Sequence, residues 1–225
     1  MSKELIKEKL NKFGFEKEPF LFVLSYDLSK FYIEKLSNLP KTIKFELNSN
    51  EHNKSKDIKK SKLEKFPISF EEYKKSFDYI QEQIKSGNSY LLNLTAKTKI
   101  KTSLSLDEIY ENIDAKFKLR FQNNKDDFVC FSPERFVEIK KNKISTYPMK
   151  GTIDATITNA QARILGDIKE MAEHTMVVDL LRNDLGIVGS KVRVDKFRYV
   201  EKINAGNKKL LQVSSKISAN LQNNW

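Results

Sequence analysis

A single cysteine, Cys130, stands in the whole chain, which excludes an intramolecular disulfide framework and a four-cysteine zinc site and fits a reducing cytosol. Long apolar runs are missing too. The opening residues Met-Ser-Lys-Glu-Leu-Ile-Lys lack the apolar core of a secretory signal, and no window reaches the roughly 20 apolar residues of a membrane helix. A cytoplasmic protein with no membrane partner is expected, and no internal repeat is visible. What the 225 residues do contain is 39% hydrophobic and 11% aromatic side chains, enough to build a core and too apolar for wholesale disorder. The positive surplus, 41 − 30 = +11, would suit a phosphate backbone if it were clustered. It is dispersed along a chain rich in Lys, Asn and Ile, so nucleic acid is not expected as a partner.

Residues 20–26 form a β-rich apolar run, and Ile43, Phe45 and Leu47 alternate like a half-buried strand, the two being expected to pair. From Asn48 to Lys65 large apolar residues nearly vanish and lysines crowd together, with no aromatic interleaved as a base-stacking platform requires. Ser69 with Glu72 forms a capping box, and Phe70, Tyr73, Phe77, Ile80 and Ile84 keep helical spacing until Gly87. Tyr90, Leu92, Leu94 and Ala96 then alternate as in a strand. Ser105 and Glu108 open a short helix. Asp127–Ser132, Phe136–Lys140 and Lys143–Tyr147 read as strands, the last two joined in a hairpin. Asp167 with Glu170 repeats the capping pattern before a helix toward Leu185, with Gly186 as its stop. Val192 and Val194 begin a strand, and Lys209–Leu221 is a further strand or a helix. Strand runs broken by solitary helices indicate an α+β fold with a mainly antiparallel sheet. The expected division is a β-rich segment 1–47, a polar basic linker 48–65, and a domain 66–225.

Four segments are more polar than packing demands. In Ser132-Pro133-Glu134-Arg135-Phe136 and Tyr147-Pro148-Met149-Lys150-Gly151-Thr152, a hairpin centred on Asn142 would set Glu134 opposite Lys150 on one face. Taken alone, that pair is a cross-strand salt bridge of about 1 kcal/mol or less. Gly151, which permits close backbone approach, and the Thr152 hydroxyl add a way to meet an anionic ligand. Glu170 and Glu173 project from one face of the third segment's helix and suit an oxygen-seeking cation such as magnesium, although acids near a helix N-terminus are favoured by its dipole in any case. A lone histidine such as His174 is more often structural than catalytic, and it receives no role. The fourth segment, Val177 to Gly186, ends in the polar cluster Asp179, Arg182, Asn183 and Asp184, which ties down a helix end.

In order and spacing, Glu173 through Gly186, the two segments around Glu134 and Lys150, and Ser89-Tyr90-Leu91-Leu92-Asn93-Leu94-Thr95 together resemble the chorismate-binding enzymes. The likeness is greatest to component I of aminodeoxychorismate (para-aminobenzoate) synthase. It runs from about Phe66 to Leu221 and is thinner over Phe20–Leu47.

The resemblance implies an α+β fold of large antiparallel sheets packed together with helices outside, and a Mg2+ ion holding the chorismate carboxylate. Glu170 and Glu173 match the metal-side acids; Gly151 and Thr152 match the substrate-binding pair; Glu134 matches the carboxylate that helps the C4 hydroxyl leave. Lys150 discriminates within the family: aminodeoxychorismate synthases carry lysine there as a nucleophile, whereas anthranilate, isochorismate and salicylate synthases carry alanine. Leu91 stands where the water-adding members place a lysine base. The implied reaction makes a folate precursor by transferring an amino group from ammonia, itself supplied by a glutamine amidotransferase. Two departures are evident. Gln212 occupies a substrate-side position where the family has histidine, and an amide cannot exchange a proton near neutrality. The glycine-rich segment and further metal acids that follow in the family are absent, so a C-terminally truncated chain is expected. The alternatives are a non-catalytic chorismate-binding remnant and an anthranilate synthase component I.

Overall fold

The computed structural model describes residues 3–47, 61–132, 134–205 and 208–222. In chain order the helices are α1 (Lys3–Phe15), α2 (Phe70–Lys85), α3 (Leu106–Asn112), α4 (Ala160–Gly166) and α5 (Ile168–Val188). The strands are β1 (Phe20–Leu24), β2 (Phe31–Lys35), β3 (Lys44–Leu47), β4 (Glu64–Phe66), β5 (Lys99–Lys101), β6 (Phe117–Gln122), β7 (Asp127–Ser132), β8 (Glu138–Lys140), β9 (Lys143–Thr146), β10 (Met149–Asp154), β11 (Gly189–Ala205) and β12 (Lys208–Leu221). Every pairing among the described residues is antiparallel, so the fold is α+β with antiparallel sheets. Residues 1–52 with 113–225 form one unit and residues 53–112 another.

In the first unit β12 is the spine of the largest sheet. β11 pairs along its length, while β10 takes its first half through Met149↔Ser214 to Asp154↔Leu210 and β9 its second through Ile217↔Thr146 to Asn220↔Lys143. Residues 212 to 215 and 217 to 219 of β12 are all buried. Ile144, Val178, Leu185, Ile217 and Ala219 form the core where α5 crosses this sheet. A second sheet of the same unit runs β3-β6-β7, and β1 with β2 makes a separate hairpin.

That hairpin replaces the expected pairing of residues 20–26 with 43–47, since β3 pairs β6 instead. The turn between β1 and β2 decides the matter. Asp27 Oδ1 accepts from Ser25 Oγ at 2.7 Å, Ser29 Oγ at 2.8 Å and Ser29 N at 3.1 Å, a local closure that wins over a longer-range partner. Those bonds, the one from Ser25 first, bring the Asp27 carboxyl down to about 2.

The β8–β9 hairpin forms where expected but with a different centre. Lys141 and Asn142 both take positive φ, 50° and 57°, the two-residue turn that suits strand twist. The ladder therefore pairs Glu138 with Ser145, Ile139 with Ile144 and Lys140 with Lys143. Continued outward, that register brings Glu134 opposite Met149 and not Lys150. A one-residue offset moves side chains to the other face, and the expected Glu134–Lys150 pair does not form.

Helix α5 starts as its cap predicts, Asp167 Oδ1 accepting from Glu170 N at 2.9 Å, but it runs through Gly186. Gly189 ends it, because a Cβ there would lie 2.8 Å from the Asn220 carbonyl oxygen, so only glycine allows β12 to pass so close.

In the unit 53–112, α2 carries the full capping box between Ser69 and Glu72, and α3 is capped by Ser105 and Glu108. Residues 90–96 are not a strand. Alternation assigns faces, but a strand needs a partner for its backbone groups, and among the described residues the ladder falls on β4 and β5. Of the linker expected over 48–65, residues 48–60 lie outside the described residues. No described helix is long and apolar enough to cross a membrane.

Candidate active site

Strand β10 departs from regular pairing at the residues the sequence singles out. Met149 faces Ser214 and Thr152 faces Gln212, so Lys150 and Gly151 together oppose the single residue Val213. This is a two-against-one bulge, which bends a strand and re-aims its side chains. Gly151 holds φ at +86°, and a Cβ on it would lie 3.2 Å from Glu170 Oε2 and 3.6 Å from Ile164 Cδ1. Both the backbone angle and the space therefore require glycine. Because the bulge breaks the strand's alternation, two consecutive residues meet α5: Gly151 lies against Glu170, and Lys150 Nζ is 2.7 Å from Glu173 Oε2.

Helical spacing sets Glu170 and Glu173 on one face of α5. Lys169 Nζ approaches Glu173 from its own helix at 3.7 Å. The hydrogen bond from Lys150 holds the Glu173 carboxyl below its ordinary range, against the smaller opposing effect of burial. Among the described residues no cation pairs with Glu170. Lys150 and Glu173 are each largely enclosed, at 33% and 21% side-chain exposure, so this ion pair is less screened than one on an open surface.

Glu134 sits at the edge of the same strand. Burial of its carboxyl raises its proton affinity, while the backbone N–H of Met149, the residue before Lys150, donates to it and works in the opposite direction. The residue as a whole is still open to solvent, and its amide donates to Ser132 Oγ at 3.1 Å.

Thr152 Oγ1 donates to Gln212 Oε1 at 2.6 Å, and Gln212 Nε2 donates to the Gly151 carbonyl at 2.9 Å. Leu91 lies in the unit 53–112 and is exposed. The structure thus gathers Lys150, Gly151, Thr152, Gln212, Glu170 and Glu173 around one bulge, with Glu134 tied to its first residue.

Residues that sequence reasoning passed over hold this frame. His174, without surface exposure, lies 2.6 Å through Nε2 from Ser215 Oγ. Ser215 Oγ also accepts from Arg198 N at 2.9 Å. Arg198 turns its guanidinium onto the Leu165 and Ile164 carbonyls at the end of α4, at 2.9 and 3.2 Å. Burial, and secondarily the Arg198 charge, keeps His174 below the ordinary histidine range, which fits a neutral tie between helix and sheet. The signal available in the sequence was the Ser214-Ser215 pair set between Val213 and Ile217.

The donors offered to a cation are carboxylate oxygens from one helix, the chemistry that a hard divalent ion prefers, and such an ion asks for only one or two of them alongside substrate oxygens and water. Glu170, free of a cation, fits that demand. Glu173 fits only by exchanging its contact with Lys150. Among the described residues no group of three or more His, Cys, Asp or Glu side chains is arranged to hold a metal.

Comparison with known proteins gives one consistent result. Residues 7–225 match the family described as chorismate binding enzyme. An uncharacterised PabA-like protein of Pasteurella multocida is 42% identical over all of this chain and 70% of its own length, and one of Haemophilus influenzae is 41% identical over 97% of this chain and 66% of its own. Aminodeoxychorismate synthase component 1 of Klebsiella aerogenes is 30% identical over 68% of this chain, which spans 37% of that protein. Among solved structures, a 2,3-dihydroxybenzoate-specific isochorismate synthase of Bacillus anthracis described as putative superposes with TM-score 0.62 at 18% identity, over 98% of this chain and 60% of its own. Anthranilate synthase component I of Streptococcus pneumoniae superposes with TM-score 0.55 at 17% identity, over all of this chain and 45% of its own. At such identities the superpositions establish the fold.

Proposed function

Given that the chain belongs to the chorismate-binding enzyme family, we propose that it acts on chorismate as an aminodeoxychorismate synthase component I does, with Lys150 as the reacting amine. The observation that carries this reading is the bulge: it aims Lys150 at the acids of α5 and not along the sheet. Only a neutral amine attacks, so Lys150 first gives up its proton to solvent and its contact with Glu173, which frees that carboxylate for a cation. The nitrogen then bonds to the substrate ring while the C4 hydroxyl departs as water, taking a proton from Glu134. Raised proton affinity suits Glu134 to that acid role. Ammonia adds at C4, the ammonium so formed returns a proton to Glu134, lysine leaves as the neutral amine and regains the proton it gave up, and the sum is chorismate plus ammonia giving aminodeoxychorismate plus water. Gly151 offers backbone approach to the substrate, and the Thr152 hydroxyl, whose proton goes to Gln212, offers its lone pairs to a substrate donor. Glu170 and Glu173 would hold a Mg2+ ion, which when bound supplies charge neutralisation to a substrate carboxylate. The ammonia source is a glutamine amidotransferase partner.

In an assay with chorismate, magnesium and ammonium, Glu134→Gln lowers kcat by about a hundredfold or more, and Lys150→Ala lowers it at least as far. Full turnover in the Lys150→Ala protein would overturn the lysine-linked route. The absence of a third metal-capable acid at the site among the described residues favours a second reading, a chorismate-binding chain without turnover. That reading stands if the unaltered protein binds chorismate and forms no product. Anthranilate formation, which lysine at position 150 disfavours, would appear as a fluorescent product in the same assay.

A further inference from the structure

We infer that Gln212 is a positioning residue: its side-chain amide locks the bulge that aims Lys150 at α5, and it is not a group that touches substrate. A bulge leaves a backbone group outside the ladder, and a polar group so enclosed must find a partner or destabilise the fold. Gln212 supplies one. Its Nε2 donates to the carbonyl of Gly151 at 2.9 Å, the residue whose φ of +86° makes the bulge. Its Oε1 accepts from the hydroxyl of Thr152, the next residue, at 2.6 Å. Gln212 is also the direct cross-strand neighbour of Thr152 and is 9% exposed.

Each functional end of the amide is therefore engaged on β10, on the two residues that follow Lys150. An amide meets both demands at once, because it presents a donor and an acceptor side by side in fixed geometry. A carboxylate of the same shape keeps the contact with Thr152 and loses the one with Gly151. A thioether of the same length loses both. With the bulge unlocked, the Gly151 carbonyl loses its partner, the extra residue of the bulge is no longer held in one conformation, and Lys150 is released from Glu173.

This inference deepens the proposed function and rests on it for the importance of Lys150, but its test needs no substrate. Limiting acetylation followed by peptide mass spectrometry gives the labelling of Lys150 relative to Lys169, whose side chain is 79% exposed. In Gln212→Met the Lys150 to Lys169 ratio rises about fivefold, the release expected from losing the tie and then the ion pair. In Gln212→Glu it rises as well, since the donor to Gly151 is gone. An unchanged ratio in either folded variant overturns the inference. Should neither variant fold, side-chain amide hydrogen exchange in the unaltered protein decides: Gln212 exchanges at least about tenfold more slowly than the exposed Gln222 if the lock exists, and equal rates refute it. A raised ratio in a protein whose unaltered form turns over no chorismate removes the reaction and keeps the lock, while turnover with an unchanged ratio does the reverse.

Discussion

Helices α2 and α5 begin with the same kind of chemical signal and end in opposite surroundings. Ser69 with Glu72 caps α2, and Asp167 caps α5 through the amide of Glu170. Yet α2 buries none of its residues, leaving Phe70 71% exposed, whereas α5 buries His174, Val178 and Leu185 against the sheet built on β12. Capping and periodicity set where a helix forms. Only a second element decides whether its apolar face stabilises anything. Among the described residues, the candidate site belongs to the helix that has such a partner.

The largest expected contrast follows from that difference. Ile217→Ala empties a fully buried position under α5 and should cost about 3 to 4 kcal/mol of unfolding free energy. Phe77→Ala on α2 removes a half-exposed ring whose evident contact is a stack on Tyr73 with centroids 6.1 Å apart, and should cost about 0.5 kcal/mol or less. Urea unfolding followed by circular dichroism measures both. Equal costs would show that α2 is as well supported as α5.

Removing the caps sharpens the comparison at a smaller scale. Ser69→Ala and Asp167→Ala should each cost about 1 kcal/mol, but the losses should fall differently. In α2, where capping is a large share of what holds the helix, hydrogen exchange should quicken along its whole length. In α5 it should quicken in the first turn alone, because the buried residues beyond keep the rest in place.

The same distinction explains what could be read in the amino-acid order and what could not. Caps, turns and alternation are local, and with them α2, α3, the start of α5, β7 and the β8–β9 hairpin are legible. Partner choice is not local. The pairing of β1 with β2 depended on how well Asp27 closes a turn, and residues 90–96 alternate without finding a ladder. At the site, Lys150, Gly151, Glu170 and Glu173 were legible as residue types. Their meeting depends on a bulge and a register offset of one residue, features with no periodic signature, so Lys150 meets Glu173 where Glu134 was expected. Gln212 was legible as a departure from the family, and its engagement with Gly151 and Thr152 required knowing which residue of β10 it faces.

Polar pairs give the finest form of the contrast. Lys74 and Asp78 form an exposed ion pair on α2, which should contribute a few tenths of a kcal/mol and fade with salt. Beside β9, Tyr147 Oη donates to Glu138 Oε2 at 2.7 Å in a partly buried setting. Burial first, then this bond, pushes the Tyr147 hydroxyl from 10.0 up to about 12, and the bond from Tyr147 is the main cause holding Glu138 below 4.5. The signs follow from linkage. A raised tyrosine value contributes stability that is complete below pH 10.0 and is lost as pH climbs toward about 12. A depressed carboxylate value contributes stability that is complete above pH 4.5 and is lost as pH falls further. Tyr147→Phe should therefore lower unfolding free energy by about 0.5 to 1 kcal/mol on a plateau between those two limits. The difference from the unaltered protein should shrink at both ends. Lys74→Ala, measured the same way, should show no comparable plateau in high salt. A flat difference for Tyr147→Phe through pH 12 would mean that the ring's packing, with Arg135 stacked 4.9 Å above it, and not the hydroxyl, is what the sheet side uses.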